Sequence, residues 1–304
     1  MKILVFGSGG FIGKSVVKTL SKSHEVYGGD RASDGSPNSL EVDLVDQGSV
    51  VSSLNKVRPD IIINCAGTVE NSEKAYSVNP IITMNILQAA ILTKLKISKV
   101  IISGSAGEYG IVAVEGPVSE ETPLMGTSYY ARSKVLESSV ALAFSDITGI
   151  PVVVTRIFNP IGLGMHPRFL LPNLIKQAGE IKAGKRKRIE LSRLDAKRDY
   201  INVLDIAEAI KLIAENDCPN RIYNIGSGKS ITNEQLMNGI LKQQDVSSDD
   251  FNLIETSEIP EPNYAVQADI SKMHSDFGWA PKYDINTTIE QVGEELAAKE
   301  KQNA

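Results

Sequence analysis

The residues best suited to acid–base chemistry are a tyrosine and a lysine in the segment Tyr129-Tyr130-Ala131-Arg132-Ser133-Lys134. If this segment is helical, Tyr130 and Lys134 lie one turn apart and project from the same face. A cation fixed near a phenol favours the phenolate, so the pair could move a proton to or from a substrate. A surface helix could carry the same two residues by chance, and the pair therefore needs partners before it indicates an active site.

A glycine-rich segment near the N-terminus predicts a dinucleotide site. Residues 3–6 form a β-prone run, glycines follow it with the spacing G-x-x-G-x-x-G, and residues 14–20 have a helical period. In a strand–loop–helix unit the glycines allow a tight turn and close backbone approach, and the helix N-terminus offers free N–H groups to phosphate. The predicted pyrophosphate contacts are the backbone groups of Gly7, Gly10, Phe11, Ile12 and Gly13.

The end of the next β-prone run predicts the adenosine contacts. Asp30 lies about twenty residues beyond the glycines, where a carboxylate would bind ribose hydroxyls and favour NAD. Arg31 follows directly and could instead hold the 2′-phosphate of NADP, or both could begin a solvated loop, so the choice of cofactor stays open. Asp43, with Leu44 beside it, could reach the adenine. Ala66 ends a buried strand whose small terminal residues suit close approach to the cofactor.

Length and composition exclude several classes of protein. The chain has 304 residues, of which 42% are hydrophobic and 23% charged, and its formal net charge is -5. This is enough to bury a large core, and the mild acidity argues against nucleic acid or an anionic membrane as a partner. Cys65 and Cys218 share no metal-ligand spacing, so no metal is expected. Without a signal segment or a run of about eighteen apolar residues, we expect a soluble, cytoplasmic protein.

Another buried run, residues 99–103, leads into a serine-containing segment. In open parallel sheets the ligand binds at this carboxyl end of the strands. Ser105 there, the Tyr130–Lys134 pair about twenty-five residues on, and the N-terminal glycine loop together supply a hydrogen-bond donor, an acid/base, a cation and a hydride carrier. With this set the chain resembles the extended short-chain dehydrogenases/reductases that act on nucleotide sugars, and the resemblance covers nearly the whole chain.

The resemblance implies roles for these residues. Ser105 would polarise the substrate oxygen, Tyr130 would be the acid/base, and Lys134 would also hold the nicotinamide ribose. Ser103 is the rival serine, but the family's catalytic serine or threonine lies four residues before the tyrosine of a Tyr-Gly pair, here Tyr109 and Gly110. Glu108, in the same segment, is also expected among the residues that meet the substrate.

Two later segments resemble the corresponding segments of the same family. The run R-I-F-N-P-I-G-L-G contains Asn159, which the resemblance places against the substrate. The run L-D-A-K-R-D resembles that of GDP-4-keto-6-deoxy-mannose reductases and GDP-mannose dehydratases, and it contains Arg198, whose planar guanidinium suits the diphosphate of a nucleotide sugar. An ion pair of Arg198 with Asp199 or Asp205 is the alternative.

Departures from the family's patterns limit the reaction. Its dehydratases carry an acid at the second position, or at the first and second, after the catalytic serine or threonine, where this chain has Ala106 and Gly107. The fucose-synthase type needs a cysteine and a histidine where Ala106 and Phe169 stand. Reduction of a 4-keto-6-deoxy sugar nucleotide and NAD-retaining 4-epimerisation both remain, and the resemblance around Asp195 and Arg198 favours the reduction. The alternative that is not an enzyme is a dinucleotide-binding sensor or scaffold. The complete Ser/Tyr/Lys set argues against it.

The order of β-prone and helical segments predicts an α/β protein: a Rossmann-type doubly wound parallel sheet with a smaller mixed C-terminal substrate lobe. We expect strands around Tyr200 and Tyr223 to rejoin the main sheet. The expected dinucleotide-binding domain comprises residues 1–163 and about 199–228, and the expected substrate lobe comprises residues 164–198 and 229–304.

Further expectations concern helix ends, assembly and the nucleotide. Asn79 and Pro80 read as the N-cap and first residue of a helix, and Thr232 with Gln235 as a capping box. The family resemblance and the apolar stripes predict a homodimer through the helices at 80–95 and 130–144. The segment Glu261-Pro262-Asn263-Tyr264 stands where the mannose reductases have an Arg-Pro pair, which puts GDP in doubt.

Overall fold

The computed structural model describes residues 1–111, 116–256 and 267–303. Within these ranges the strands are β1 (Lys2–Phe6), β2 (Glu25–Asp30), β3 (Ser39–Glu41), β4 (Ile61–Asn64), β5 (Lys99–Ser105), β6 (Val152–Ile157), β7 (Asn159–Ile161), β8 (Arg188–Leu191), β9 (Lys197–Asn202), β10 (Ile222–Ile225), β11 (Ser230–Thr232) and β12 (Asn252–Glu255). The helices are α1 (Phe11–Leu20), α2 (Gln47–Val57), α3 (Val78–Leu92), α4 (Tyr129–Thr148), α5 (Leu170–Lys182), α6 (Val203–Glu215), α7 (Asn233–Gln244), α8 (Ser271–Phe277) and α9 (Ile285–Asn303), with 3₁₀ turns at Ala106–Tyr109 and Ser248–Asp250.

Seven strands form the main sheet, in the order β10-β6-β5-β4-β1-β2-β3. Every neighbouring pair in it is parallel. The strand order reverses between β1 and β4, so the loops that follow these two strands diverge and leave a crevice at their carboxyl ends. This arrangement confirms the predicted doubly wound parallel sheet.

Both faces of the sheet are covered because alternate strand residues point to opposite sides. Ile3 and Val5 of β1 pack with α1 and α6 in one buried cluster. Leu4 and Phe6 of the same strand pack with α2, α3 and α4 in another. The continuous apolar runs of the sequence are therefore strands buried on both faces, and they hold the crevice edge rigid.

A smaller lobe is built from the C-terminal half. Its core combines Leu174 of α5, Ile189 of β8, Ile240 of α7 and Val292 of α9. Two small sheets accompany it: the mixed sheet β11-β9-β7 and the parallel pair β12-β8. The predicted capping box of Thr232 and Gln235 is present at the start of α7.

Two local predictions were wrong. The strand around Tyr200, β9, pairs with β7 and β11 instead of rejoining the main sheet, which Tyr223 does join through β10. Asn79 is not an N-cap, because α3 begins at Val78 and Ser77 precedes it. Its amide instead bonds the backbone of Thr68, on the loop that follows β4. Pro80 is tolerated nearby because the first-turn N–H groups of a helix have no intrahelical acceptor.

Candidate active site

The glycine loop after β1 meets the end of β4 at the point where the strand order reverses. Gly7 has a φ of +73°, and a Cβ placed on it would lie 2.6 Å from the backbone nitrogen of Ala66. A Cβ on Gly13 would lie only 2.0 Å from the carbonyl oxygen of Gly7. These contacts explain the two glycines: one permits a left-handed turn against the neighbouring strand, and the other lets α1 pack onto the loop.

Helix α1 begins at this loop without a side-chain cap. Gly10 is its N-cap residue and makes no side-chain hydrogen bond, and Phe11 and Ile12 form the first turn. An uncapped first turn leaves backbone N–H groups and the positive end of the helix dipole directed at the crevice. Such groups can bind a pyrophosphate, which is the role that the glycine spacing predicts for them.

A cleft of about 700 Å³ extends from this loop across the ends of β2 and β4. The Asp30 carboxylate sits in it and accepts hydrogen bonds from the backbone N–H groups of Gly9 (2.8 Å) and Arg31 (2.7 Å). The predicted contacts that line the cleft are Gly7, Gly10, Asp30, Arg31, Asp43, Leu44 and Ala66. Gly9, Thr68 and Glu70 also line it and were not predicted. The donor set and the shape fit a dinucleotide bound by its adenosine and pyrophosphate.

Helix α4 carries the predicted acid–base pair. Its first turn is fixed by Ser128, whose hydroxyl accepts a hydrogen bond from the backbone N–H of Ala131. Lys134 is 6% exposed, and its ammonium donates to the carbonyl oxygen of Ser103 at 2.5 Å. Burial alone would lower the pKa of Lys134, but the nearby Glu137 carboxylate and Tyr130 phenol outweigh it and raise that pKa. The lysine therefore stays cationic beside Tyr130.

Ser105, at the end of β5, lies close to the Tyr130 ring across Gly107. A Cβ on Gly107 would be 3.3 Å from the Ser105 hydroxyl oxygen and 3.7 Å from Cε1 of Tyr130. The rival hydroxyl, that of Ser103, is buried and faces the thiol of Cys65 at 3.7 Å. The structure thus brings Ser105, Tyr130 and Lys134 together around the end of β5, and it turns Ser103 away.

The expectation that Glu108 meets the substrate was wrong. Its side chain is fully buried, and Oε1 accepts a hydrogen bond from the backbone N–H of Ser105 in a capping box that closes the 3₁₀ turn. Oε2 accepts from the hydroxyl of Ser138 and from Nε of Arg156. The 3₁₀ turn directs residue 108 inward, so this carboxylate supports the end of β5 from behind.

The sequence reasoning also missed a second buried carboxylate, Glu137. Its Oε2 lies 2.5 Å from Nζ of Lys134, and its Oε1 accepts a hydrogen bond from the Thr83 hydroxyl at 2.8 Å. Asn64 at the end of β4 also donates to Oε1, at 3.4 Å. The i, i+3 spacing of lysine and glutamate on one helix was visible in the sequence, but their burial was not.

The two predicted substrate contacts outside the Rossmann core lie on neighbouring strands. The amide of Asn159 donates to the carbonyl oxygen of Asp199 at 2.9 Å, which ties β7 to β9. Arg198 on β9 is half-buried, and no carboxylate among the described residues pairs with it. Asp199 and Asp205, the alternative partners, accept backbone N–H groups elsewhere, including those of Ser227 and Lys282.

Other features bear on the site. Among the described residues there is no group of three or more His, Cys, Asp or Glu side chains that could hold a metal ion. None of the described helices is long and apolar enough to cross a membrane. The segment at 261–264, which put GDP in doubt, lies outside the described residues.

Comparison with known proteins places the chain in a family. The profile of the GDP-mannose 4,6 dehydratase family matches residues 4–292. GDP-6-deoxy-D-talose 4-dehydrogenase of Aggregatibacter actinomycetemcomitans is 32% identical over 234 residues, which cover 75% of each chain. Among solved structures, dTDP-glucose 4,6-dehydratase of Bacillus anthracis in complex with NAD superimposes with a TM-score of 0.87 at 23% identity, covering 99% of this chain and 98% of that one.

A second solved structure is as similar. RMD of Pseudomonas aeruginosa, in complex with NADPH, superimposes with a TM-score of 0.85 at 23% identity, covering 98% of this chain and 100% of that one. At these identities the two structures support the fold, and one of them holds NAD while the other holds NADPH. By its sequence this chain belongs to the GDP-mannose 4,6-dehydratase family of extended short-chain dehydrogenases/reductases, which are NAD(P)-dependent enzymes that modify nucleotide sugars.

Proposed function

We propose that the enzyme reduces the 4-keto group of a nucleoside-diphosphate 4-keto-6-deoxy sugar. The observation that carries this proposal is the space around Gly107, which separates the Ser105 hydroxyl from the Tyr130 ring and carries no side chain. In the proposed complex a carbonyl oxygen beside Gly107 accepts hydrogen bonds from the Ser105 and Tyr130 hydroxyls. The relative named GDP-6-deoxy-D-talose 4-dehydrogenase supports hydride exchange at carbon 4, because oxidation of that alcohol is the reverse of such a reduction.

The same turn argues against dehydration. Removal of water from the sugar requires a base beside the substrate, and the dehydratases carry an acid at a position that is Gly107 here. The one carboxylate of the turn, Glu108, is fully buried and bonded to Ser105, Ser138 and Arg156. It has no route to a sugar proton.

In the proposed reaction Tyr130, Ser105 and Lys134 have separate roles. Reduced nicotinamide, when bound, would supply the hydride to carbon 4. Tyr130 delivers its proton to the oxygen while Ser105 donates a hydrogen bond to the developing alkoxide. Lys134 stabilises the charge on Tyr130 and contacts the nicotinamide ribose, which would require its ammonium to keep one N–H directed out of the protein.

We further propose NAD as the preferred cofactor. Asp30 is held at the end of β2 by the N–H groups of Gly9 and Arg31, so its carboxylate is fixed in the cleft. A fixed carboxylate can accept hydrogen bonds from the ribose hydroxyls but repels a 2′-phosphate. Arg31 is exposed and offers weaker, solvent-screened compensation.

Arg198 and Asn159 are proposed to contact the nucleotide sugar outside the Rossmann core. Arg198 donates one N–H to the carbonyl oxygen of Lys197, and no carboxylate among the described residues pairs with it, so its other N–H groups are available to a diphosphate. Asn159 uses its amide nitrogen on Asp199, so its carbonyl oxygen is the group proposed to meet a sugar hydroxyl.

A homodimer is proposed on the outer face of α3 and α4. Large apolar side chains are exposed there, among them Leu92 at 59% and Ile147 at 85%. A second copy presenting the same face would bury them symmetrically.

The test uses purified protein, NADH or NADPH, and the 4-keto-6-deoxy sugar nucleotides of GDP and dTDP. Consumption of reduced cofactor with formation of the 4-hydroxy sugar is expected. Tyr130→Phe should lower the single-turnover rate by about 10²–10⁴-fold while leaving dinucleotide affinity unchanged, and Lys134→Met should lower both.

The same assay distinguishes the alternative functions. Protein that retains NAD⁺ tightly and interconverts two sugar epimers without net redox change would be the epimerase instead. Dinucleotide binding without either reaction would point to a sensor.

A further inference from the structure

The predicted acid–base pair is backed by a buried anion. Glu137 is 0% exposed, and its Oε2 lies 2.5 Å from the Lys134 ammonium. The opposite oxygen is fixed by Thr83 of α3. Three elements, α3, α4 and the end of β4, therefore hold this carboxylate in place behind Lys134.

This arrangement limits what the ammonium can do. An ammonium has three N–H donors. That of Lys134 donates one to the carbonyl oxygen of Ser103 and has Oε2 of Glu137 as the nearest acceptor for another. One donor is left for Tyr130 or a ribose. Glu137 thus fixes the direction in which Lys134 faces the site.

The charges of the groups around Lys134, with its own charge included and Tyr130 left out, sum to zero. Lys134 faces Glu137 on its own helix and Glu108 on the 3₁₀ turn, and Glu108 is paired with Arg156 of β6. Cys65, directly after β4, also faces Lys134, but burial raises its pKa to about 11, so the thiol is neutral. Lys134 and Arg156 carry two positive charges and Glu108 and Glu137 carry two negative ones, so the field of Lys134 at Tyr130 is offset by the field of Glu137.

We propose that Glu137 is a positioning residue that holds the Lys134 ammonium and offsets its charge at Tyr130, the proton donor of the proposed reduction. The inference rests on the proposed function, since it assigns Tyr130 as the acid of the reduction. It goes further in naming the group that sets how strongly Lys134 acts on the Tyr130 phenol. Without Glu137, Lys134 would act on the phenol with its full charge and would favour the phenolate that oxidation requires.

The test compares Glu137→Gln with Thr83→Val. Glu137→Gln removes the charge and keeps the shape, whereas Thr83→Val removes a hydrogen bond to the same carboxylate and keeps the charge. Two readouts are measured on each holoenzyme: the pH profile of hydride transfer with a 4-keto-6-deoxy sugar nucleotide, and the NMR titration of Tyr130 in protein labelled at tyrosine Cζ. Tyr130→Phe assigns the signal among the nine tyrosines. Glu137→Met replaces Glu137→Gln if the latter does not bind dinucleotide.

Glu137→Gln is expected to move both the NMR midpoint and the high-pH limb of ketone reduction down by about one pH unit, the scale for removing one like charge several ångströms away. Thr83→Val should move neither. Unchanged midpoints in Glu137→Gln, or equal shifts in Thr83→Val, would overturn the proposal. If the wild type turns over no sugar nucleotide, the proposed function fails, but the NMR titration still decides whether Glu137 controls Tyr130.

Discussion

Replacing Arg156 by methionine should destabilise the protein strongly, because it strands a buried carboxylate behind Ser105. The Arg156 side chain is 4% exposed and that of Glu108 is 0% exposed. Arg156 donates to Glu108 through Nε at 3.2 Å, and through NH1 to the Tyr109 hydroxyl at 3.1 Å and to the Glu120 carbonyl oxygen at 3.0 Å. All three acceptors lose a donor at once in Arg156→Met.

The magnitude follows from the environment of the pair. Breaking a buried ion pair by removing one partner costs about 3–5 kcal/mol, since the remaining charge is left without compensation. Burial already raises the pKa of Glu108, and the Arg156 charge offsets part of that effect. Methionine fills similar volume without charge, so the cost should come from the stranded Glu108 and not from a cavity. A drop in Tm of about 5–8 °C is expected for a chain of 304 residues.

A double variant separates the charge from the packing. In Arg156→Met/Glu108→Gln the amide oxygen can still accept the Ser105 N–H and no buried charge is left unpaired. At least about 1 kcal/mol of the free energy of unfolding should therefore be recovered relative to Arg156→Met.

The exposed pair Arg221–Asp146 is the matched control, and Arg221→Met should lower the free energy of unfolding by less than about 1 kcal/mol. Urea unfolding measures all of these. A loss below about 1 kcal/mol in Arg156→Met, or no recovery in the double variant, would refute the reasoning.

Three further outcomes are expected. The wild type should bind NADH at least about tenfold more tightly than NADPH, and Asp30→Ser should reduce this ratio, as measured by fluorescence titration; equal wild-type affinities would contradict the role of the Asp30 charge. Iodoacetamide at pH 8 should modify Cys65 at least about 100-fold more slowly in the native than in the unfolded protein, because burial raises its pKa to about 11. Leu92→Glu should convert a dimer to a monomer in analytical ultracentrifugation, whereas Leu253→Glu, on the distant β12, should not; a monomeric wild type would end the dimer proposal.

The parts of the site that could be predicted from sequence depend on short-range geometry. Tyr130 and Lys134 share a helix face because their spacing is one turn, and a strand, glycine loop and helix in succession leave few alternatives for residues 2–20. The position of Asp30 could be predicted from the same unit, because neighbouring parallel strands end at the same edge of a sheet. Each of these predictions used contacts within about thirty residues of chain.

The predictions that were wrong depend on how separate elements meet. Glu108 was assigned to the substrate by its place in the chain, but the 3₁₀ turn rotates it towards Arg156, 48 residues away. Asn79 has the residue type of an N-cap, yet its amide bonds the Thr68 backbone because the loop after β4 passes beside α3. The Tyr200 strand has strand character, and only tertiary packing decides which sheet it joins.

Glu137 shows what the structure adds to the chemistry. A Lys–Glu pair three residues apart on a helix is usually a solvent-exposed pair worth a few tenths of a kcal/mol. Here both groups are buried, where such a pair adds little net stability because the desolvation of two charges offsets their attraction. The contribution of Glu137 should therefore be sought in the direction and charge of Lys134, which makes it a third member of the proposed acid–base group at α4.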